Sequence, residues 1–203
     1  MKRNNFDSIS GVYDLLAKLI FGNSIRESQK LFFPNIPNDS RILILGGGTG
    51  WILLELFKVQ PKCSVWYVDA SLKMISLAKR KTKNDRRIQF IHGTEENIPD
   101  MKFDVVITNF FLDLFEDHSI ADLIRKIKNS LNVRALWIAT DFVNRRWWHR
   151  LMVRIMYLFF RVVSEIEAKQ LPKWSENISE SGLQEIKSRS FFRGFIETKL
   201  FQL

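Results

Sequence analysis

The chain has 203 residues, 46% of them hydrophobic and 26% charged, an ordinary globular composition that can bury one sizeable core. A single cysteine, Cys63, excludes an internal disulfide, and three histidines (His92, His118, His149) scattered along the chain offer no zinc spacing, so no metal site is expected. Lys and Arg outnumber Asp and Glu by 31 to 22, a formal charge of +9, so the question of an anionic partner is open from the start.

The opening MKRNNFDSIS lacks the continuous apolar core of a signal peptide, and a reducing, cytoplasmic setting is expected. Helices are predicted near 11–21 and 24–32. Pro34, Pro37 and residues 38–40 then mark a boundary. Beyond it the pattern alternates: strands near 41–45, 64–68, 87–91, 103–108 and 134–140, helices near 50–59, 71–82 and 119–130. Strand and helix in turn imply right-handed crossovers and a largely parallel sheet with helices on both faces. WSENISESG (174–182) reads as a last helix. Two strand-like segments divided by Gly194 then suit a closing hairpin. No repeat or low-complexity tract interrupts the pattern.

Residues 42–51 read ILILGGGTGW. An aliphatic run bounded by glycines suits a strand covered on both faces, and WILLELFKV has the apolar density of a helix packed against it. The glycines therefore make a strand-to-helix turn, where a ligand group can approach bare backbone and unpaired N–H groups. A nicotinamide or flavin fingerprint, G-x-G-x-x-G, would put its third glycine where Trp51 stands; the spacing present is G-x-G-x-G, at Gly46, Gly48 and Gly50. The next strand, SVWYV, runs into Asp69. A carboxylate there is placed to accept hydrogen bonds from ribose hydroxyls, although Asp and Ser71 also suit the cap of the following helix.

These segments resemble the class I S-adenosylmethionine-dependent methyltransferases. ILILGGGTG is similar to their first motif, VWYVDASLKMISLAKRK to the strand, acid and helix after it, and HGTEENIPDMKFDVVITNFFLDLF to their third and fourth strands with a cofactor loop after each. FDSISGVYDLLAKLIFG resembles the cover helices of the small-molecule branch that includes the quinone-ring C-methyltransferases. The resemblance implies a Rossmann-like, doubly wound α/β fold whose seven-stranded, mostly parallel sheet has an antiparallel last strand. It implies S-adenosyl-L-methionine as cofactor, held by Gly46, Gly47, Gly48, Gly50, Asp69, Ala70, Thr94, Glu95 and Asn109. Three positions depart from the family pattern: Ile44 replaces an acid two before the first glycine, Thr94 replaces the Asp of Gly-Asp, and the fourth-strand loop lacks Asn-Pro-Pro-aromatic.

Ligands of an open parallel sheet lie beyond the carboxyl ends of its strands, here Gly46, Asp69, His92 to Glu95, Asn109 to Asp113, and Asp141. Methyl transfer from a sulfonium needs an aligned nucleophile, worth up to about 7–11 kcal/mol, and a base only where that nucleophile arrives protonated. The catalytic residue is therefore poorly readable. Asp113, Asp141, His149 and Tyr13 are candidates, with His118 beside them, and Asp113 or Asp141 could instead simply cap a helix.

The positive charge gathers in two places. KRKTKNDRR (79–87) closes a helix, where cations suit the negative dipole end. In RRWWHRLMVRIMYLFFRVV (145–163), Arg146, Arg150, Arg154, Tyr157 and Arg161 fall within an arc of about 80° and the rest of the circumference is almost wholly apolar. Its uninterrupted apolar pieces are far shorter than the roughly 20 residues of a membrane span, while basic residues beside paired tryptophans suit a lid, a packed helix or a lipid interface. The expected organisation is one domain: cover helices (1–38), cofactor sheet (39–142), inserted lid and last helix (143–182) and closing hairpin (183–203). The expected function is methylation of a small apolar or aromatic acceptor, with peripheral membrane contact through 145–163. An RNA methyltransferase and a non-catalytic cofactor-fold module are the alternatives; no appended RNA-binding module is recognisable, so a nucleic acid is the less expected partner.

Overall fold

The computed structural model describes residues 21–154 and 171–203. In chain order they form α1 (Ser24–Lys30), β1 (Arg41–Leu45), α2 (Trp51–Val59), β2 (Ser64–Asp69), α3 (Leu72–Lys81), β3 (Ile88–His92), β4 (Phe103–Asn109), α4 (Asp117–Asn129), β5 (Leu131–Phe142), α5 (Trp174–Glu180), β6 (Gln184–Phe191) and β7 (Ile196–Gln202). Residues 147–154 are also helical. The helix expected near 11–21 falls outside the described residues except for Phe21, as do Tyr13 and residues 155–163 of the basic segment.

The seven strands make one sheet in the order β3-β2-β1-β4-β5-β7-β6. β1 to β5 pair in parallel. β7 runs antiparallel to both β5 and β6, between which it lies. This is the doubly wound sheet that the alternating pattern predicts.

Period-two alternation along each central strand serves two cores at once. Leu43 and Leu45 pack with Ile120, Leu123 of α4 and Trp174 of α5 on one face. Ile42 and Ile44 pack with Ile52, Leu56 of α2 and Ile75 of α3 on the other. Each such side chain is essentially buried, worth about 1.5–3 kcal/mol in removal from water. The helix ends follow local chemistry. Ser71 caps α3 by accepting the Met74 N–H at 3.1 Å, and Lys79, Arg80 and Lys81 occupy its last turn. Arg87 then pairs with Asp85 and lies 3.8 Å from the Phe57 ring centroid, so the basic run 79–87 is a helix end and a turn.

β5 begins three residues before the predicted strand. Its pairing with β4 jumps from Phe103↔Leu131 to Val105↔Leu136, and the extra residues bulge outward, with Val133 90% exposed and Arg134 at φ +62°. A third cluster, Phe21, Phe142, Val153, Phe195 and Ile196, sits at the carboxyl end of β5. The edge strand β6 is exposed along nearly its whole length and its register with β7 shifts between Glu185 and Lys187.

Candidate functional site

The β1–α2 turn is built from glycines with different tasks. A Cβ on Gly47 would stand 2.2 Å from the Tyr67 ring, so the backbone there lies directly on that side chain. Gly48 has φ +65° and nothing within 4 Å of where its Cβ would be, so its peptide is turned into the left-handed region and its outer side is open. Gly46 lies against Phe111 of the loop after β4, where a Cβ would stand 2.7 Å from the ring.

Asp69 fixes this turn. Its Oδ2 accepts the Gly48 N–H at 2.8 Å and its Oδ1 accepts the Ser71 N–H at 2.9 Å. The Tyr67 hydroxyl donates to the Gly48 carbonyl at 2.8 Å. Burial, and then the Asp69 charge, push the Tyr67 phenol well above its ordinary range, so it stays a donor. The strand-end acid therefore reaches back to the glycines as well as forward to the α3 entrance, and Ala70 beside it is exposed.

The loop after β3 is tied to the same place. Gly93 N–H donates to the Asp69 carbonyl at 3.0 Å, and the His92 ring nitrogen Nε2 lies 3.1 Å from the Ala70 carbonyl. Thr94 uses its hydroxyl as a cap, accepting the Glu96 N–H at 3.3 Å, while Asn97 Oδ1 accepts the Thr94 N–H at 3.0 Å. Glu95 opens the short turn Glu95–Asn97 that follows.

At the ends of β4 and β5 two buried carboxyls meet. Asp141 Oδ2 accepts the N–H groups of Leu112 and Asp113, at 2.9 and 3.1 Å, and its Oδ1 accepts that of Phe142 at 2.8 Å. It thus caps the short turn Leu112–Leu114. Asp113 is 6% exposed, and its Oδ1 has no partner among the described residues. Burial pushes Asp113 up to about 7; burial and then the Asp113 charge push Asp141 well up, against its three N–H bonds. The charge on one carboxyl disfavours the charge on the other, so the two titrations are linked. Asn109, at the end of β4, has neither amide atom hydrogen-bonded among the described residues. An uncommon φ of +50° at Phe110 turns the chain immediately after it.

The remaining candidates lie elsewhere. His149 is 1% exposed, accepts the Arg145 N–H at its Nδ1 (3.1 Å), and packs 5.3 Å from the Phe195 ring. Burial and then the Arg146 charge hold it below its usual range, and its Nε2 has no hydrogen-bond partner among the described residues. His118 lies in the first turn of α4. The structure thus gathers Gly46 to Gly48, Asp69 and the Phe111 loop, pairs Asp113 with Asp141, and leaves His149 in the aromatic cluster. Sequence reasoning offered Phe110 and Phe111 as pocket walls, and Phe111 does lie against Gly46; it missed Tyr67 under Gly47, for which a lone phenol in an otherwise apolar buried strand was the available signal.

Known proteins are similar to this chain in sequence and in sheet. The methyltransferase domain family matches residues 42–133. A demethylmenaquinone methyltransferase of Staphylococcus saprophyticus is 33% identical over 130 residues, 61% of this chain and 56% of that protein. A malonyl-[acyl-carrier protein] O-methyltransferase of Priestia megaterium is 32% identical over 145 residues, 70% of this chain and 51% of that protein. The chain therefore spans about half the length of these curated relatives. Among solved structures, the putative methyltransferase held by the Haloferax volcanii Trm112 activator superposes with a TM-score of 0.74 at 13% identity, over 100% of this chain and 99% of that one. The N-methyltransferase NodS of Bradyrhizobium japonicum, in complex with S-adenosylhomocysteine, superposes with a TM-score of 0.67 at 16% identity, over 87% and 85%. At these identities the structural likeness is one of fold.

Proposed function

We propose that this chain, whose sheet is that of a class I methyltransferase domain, transfers the methyl group of S-adenosylmethionine to a small apolar or aromatic acceptor. The observation that carries the reading is the Asp69 to Gly48 hydrogen bond, which sets an acid and an open, left-handed glycine side by side at the tips of β2 and β1. When bound, the cofactor supplies a methyl group on a positively charged sulfonium.

This chain's residues have separate tasks in that reading. A carboxylate has about four acceptor sites, so Asp69 can order the turn and also receive ribose hydroxyls. Gly46 to Gly48 and Gly50 border the amino acid tail at the start of α2; the Gly46 and Gly48 amides are already donated, to the Val68 carbonyl and to Asp69. Ala70, Thr94 and Glu95 border the nucleoside; the Thr94 hydroxyl and N–H are both taken by the turn that follows. Asn109 offers the tail or the acceptor a donor and an acceptor that have no partner among the described residues. Asp113 is the proposed base, because it is the candidate whose unpartnered oxygen lies in a buried pair able to take a proton near neutrality. Asp141 positions it through the Leu112–Leu114 turn.

Residues 1–38 and 143–182 are proposed to cover the pocket. An apolar acceptor partitions into membranes, and peripheral contact through 145–163 belongs to the same proposal. Calorimetry with S-adenosylmethionine and S-adenosylhomocysteine tests the reading: both should bind the native chain and both should weaken together in Asp69→Ala. Failure of either to bind a folded native chain would overturn it in favour of a non-catalytic module.

A further inference from the structure

The stretch VNRRWWHRLMVR (143–154) holds four arginines and no acid. Within it the helix 147–154 is anchored by one face only: His149 and Val153 are buried, four residues apart, against Phe142 and Phe195. At about 100° per residue, Arg150, Arg154, Trp147 and Leu151 share an arc of about 100° on the opposite side. All four are exposed, Trp147 at 77% and Leu151 at 53%. A large indole and a leucine left in water between two arginines is a combination that burial in the core does not explain.

The helix starts shortly after Phe142, at the carboxyl edge of the sheet. The Phe142 ring lies 4.7 Å from that of Phe110, the residue after Asn109. The exposed face therefore belongs to the same edge as the glycine turn and the Asp113 loop. No helix among the described residues is long and apolar enough to cross a membrane.

We infer that the face formed by Trp147, Leu151, Arg150 and Arg154 docks on an anionic lipid surface, with the indole and leucine entering the headgroup boundary and the guanidinium groups pairing with lipid phosphates. Charge complementarity selects the partner: the acid-free arginine stretch favours a negative surface, and its interleaved apolar side chains favour one with a hydrocarbon edge. Arg145 is held back by its own ion pair, 2.6 Å to Glu197, and is not counted in the face. Docking would turn the carboxyl edge toward the bilayer. It rests on the methyltransferase reading only in naming what the docking serves, delivery of an acceptor that resides in lipid.

Flotation with vesicles of phosphatidylcholine, with and without phosphatidylglycerol, tests this on the full chain. The protein should float with the anionic vesicles and, in their absence, remain at the bottom. Trp147→Ser/Leu151→Ser should cut recovery about tenfold or more, and Arg150→Gln/Arg154→Gln should cut it comparably and flatten its fall with added salt. These side chains are exposed, so thermal unfolding of the variants should match the native chain. No flotation with anionic vesicles, flotation unchanged in both variants, or binding of single-stranded RNA in preference to vesicles would overturn the inference. Calorimetric binding of S-adenosylhomocysteine by the same preparations reports separately on the cofactor site, so either reading can fail alone.

Discussion

The Asp69 carboxylate accepts the N–H of Gly48 at 2.8 Å across 21 positions of sequence. One side chain thus fixes the turn of the neighbouring strand and, in the proposed function, also receives the nucleoside sugar. Asp69→Ala should lose two backbone hydrogen bonds, Gly48 and Ser71, at a stability cost of about 1–3 kcal/mol. Binding of S-adenosylhomocysteine should weaken at least about tenfold, since bonds to a charged acceptor are worth about 1.5–3 kcal/mol. Denaturant unfolding and calorimetry on the same sample separate the two effects.

Gly47 and Gly48 should respond differently to alanine. At Gly47 the new methyl would meet the Tyr67 ring at 2.2 Å and force it aside, for about 1–3 kcal/mol of lost stability. At Gly48 there is room, and the cost is the φ of +65°, about 1–2 kcal/mol, with the turn otherwise retained. A loss of the Tyr67 to Gly48 hydrogen bond should accompany only the first, read as a changed tyrosine near-ultraviolet circular dichroism.

The pH dependence of stability has a definite sign. Asp113 is raised from 3.8 to about 7 by burial, so the folded chain holds a proton that the unfolded chain releases between those values. Its stabilising contribution is complete below the unfolded value and is lost as pH rises through about 7. Urea unfolding should therefore show the native chain losing on the order of 2–4 kcal/mol over that window from this pair. Asp113→Asn should flatten the profile there and be the more stable form above neutrality, while the methyl acceptor's turnover falls.

Trp137 donates its indole N–H to Thr108 Oγ1 at 2.9 Å, with both residues fully buried between β5 and β4. Thr108→Val preserves shape and removes the acceptor, leaving a buried donor unpaired. The expected cost is about 1–3 kcal/mol with cofactor binding unchanged, measured by chemical denaturation and calorimetry.

What could be read in advance depended on how local its cause was. The strands β1 to β4 and the helices α2 to α4 follow from periodicity and caps within a few residues, and the glycine spacing with Asp69 marks the turn proposed to hold the cofactor. The capping of the Leu112–Leu114 turn by Asp141 spans 28 and 29 positions, and nothing near either segment announces it. The role of Thr94 as a cap was hidden because Thr and Asp serve equally well there. The outward face of Trp147 and Leu151 was legible only as one of several alternatives: the pattern suits a lid, a packed helix or a lipid interface, and the packing of His149 and Val153 decides which side is inward.

The position of β7 between β5 and β6 bears on biosynthesis. β6 leaves the ribosome before the strand that pairs it to the sheet, and the outer edge of β5 waits for the same seven residues, Ile196–Gln202. Until they emerge, two ribbons of unsatisfied main chain face solvent or a chaperone, and the nascent protein cannot complete its sheet during translation of the first five strands.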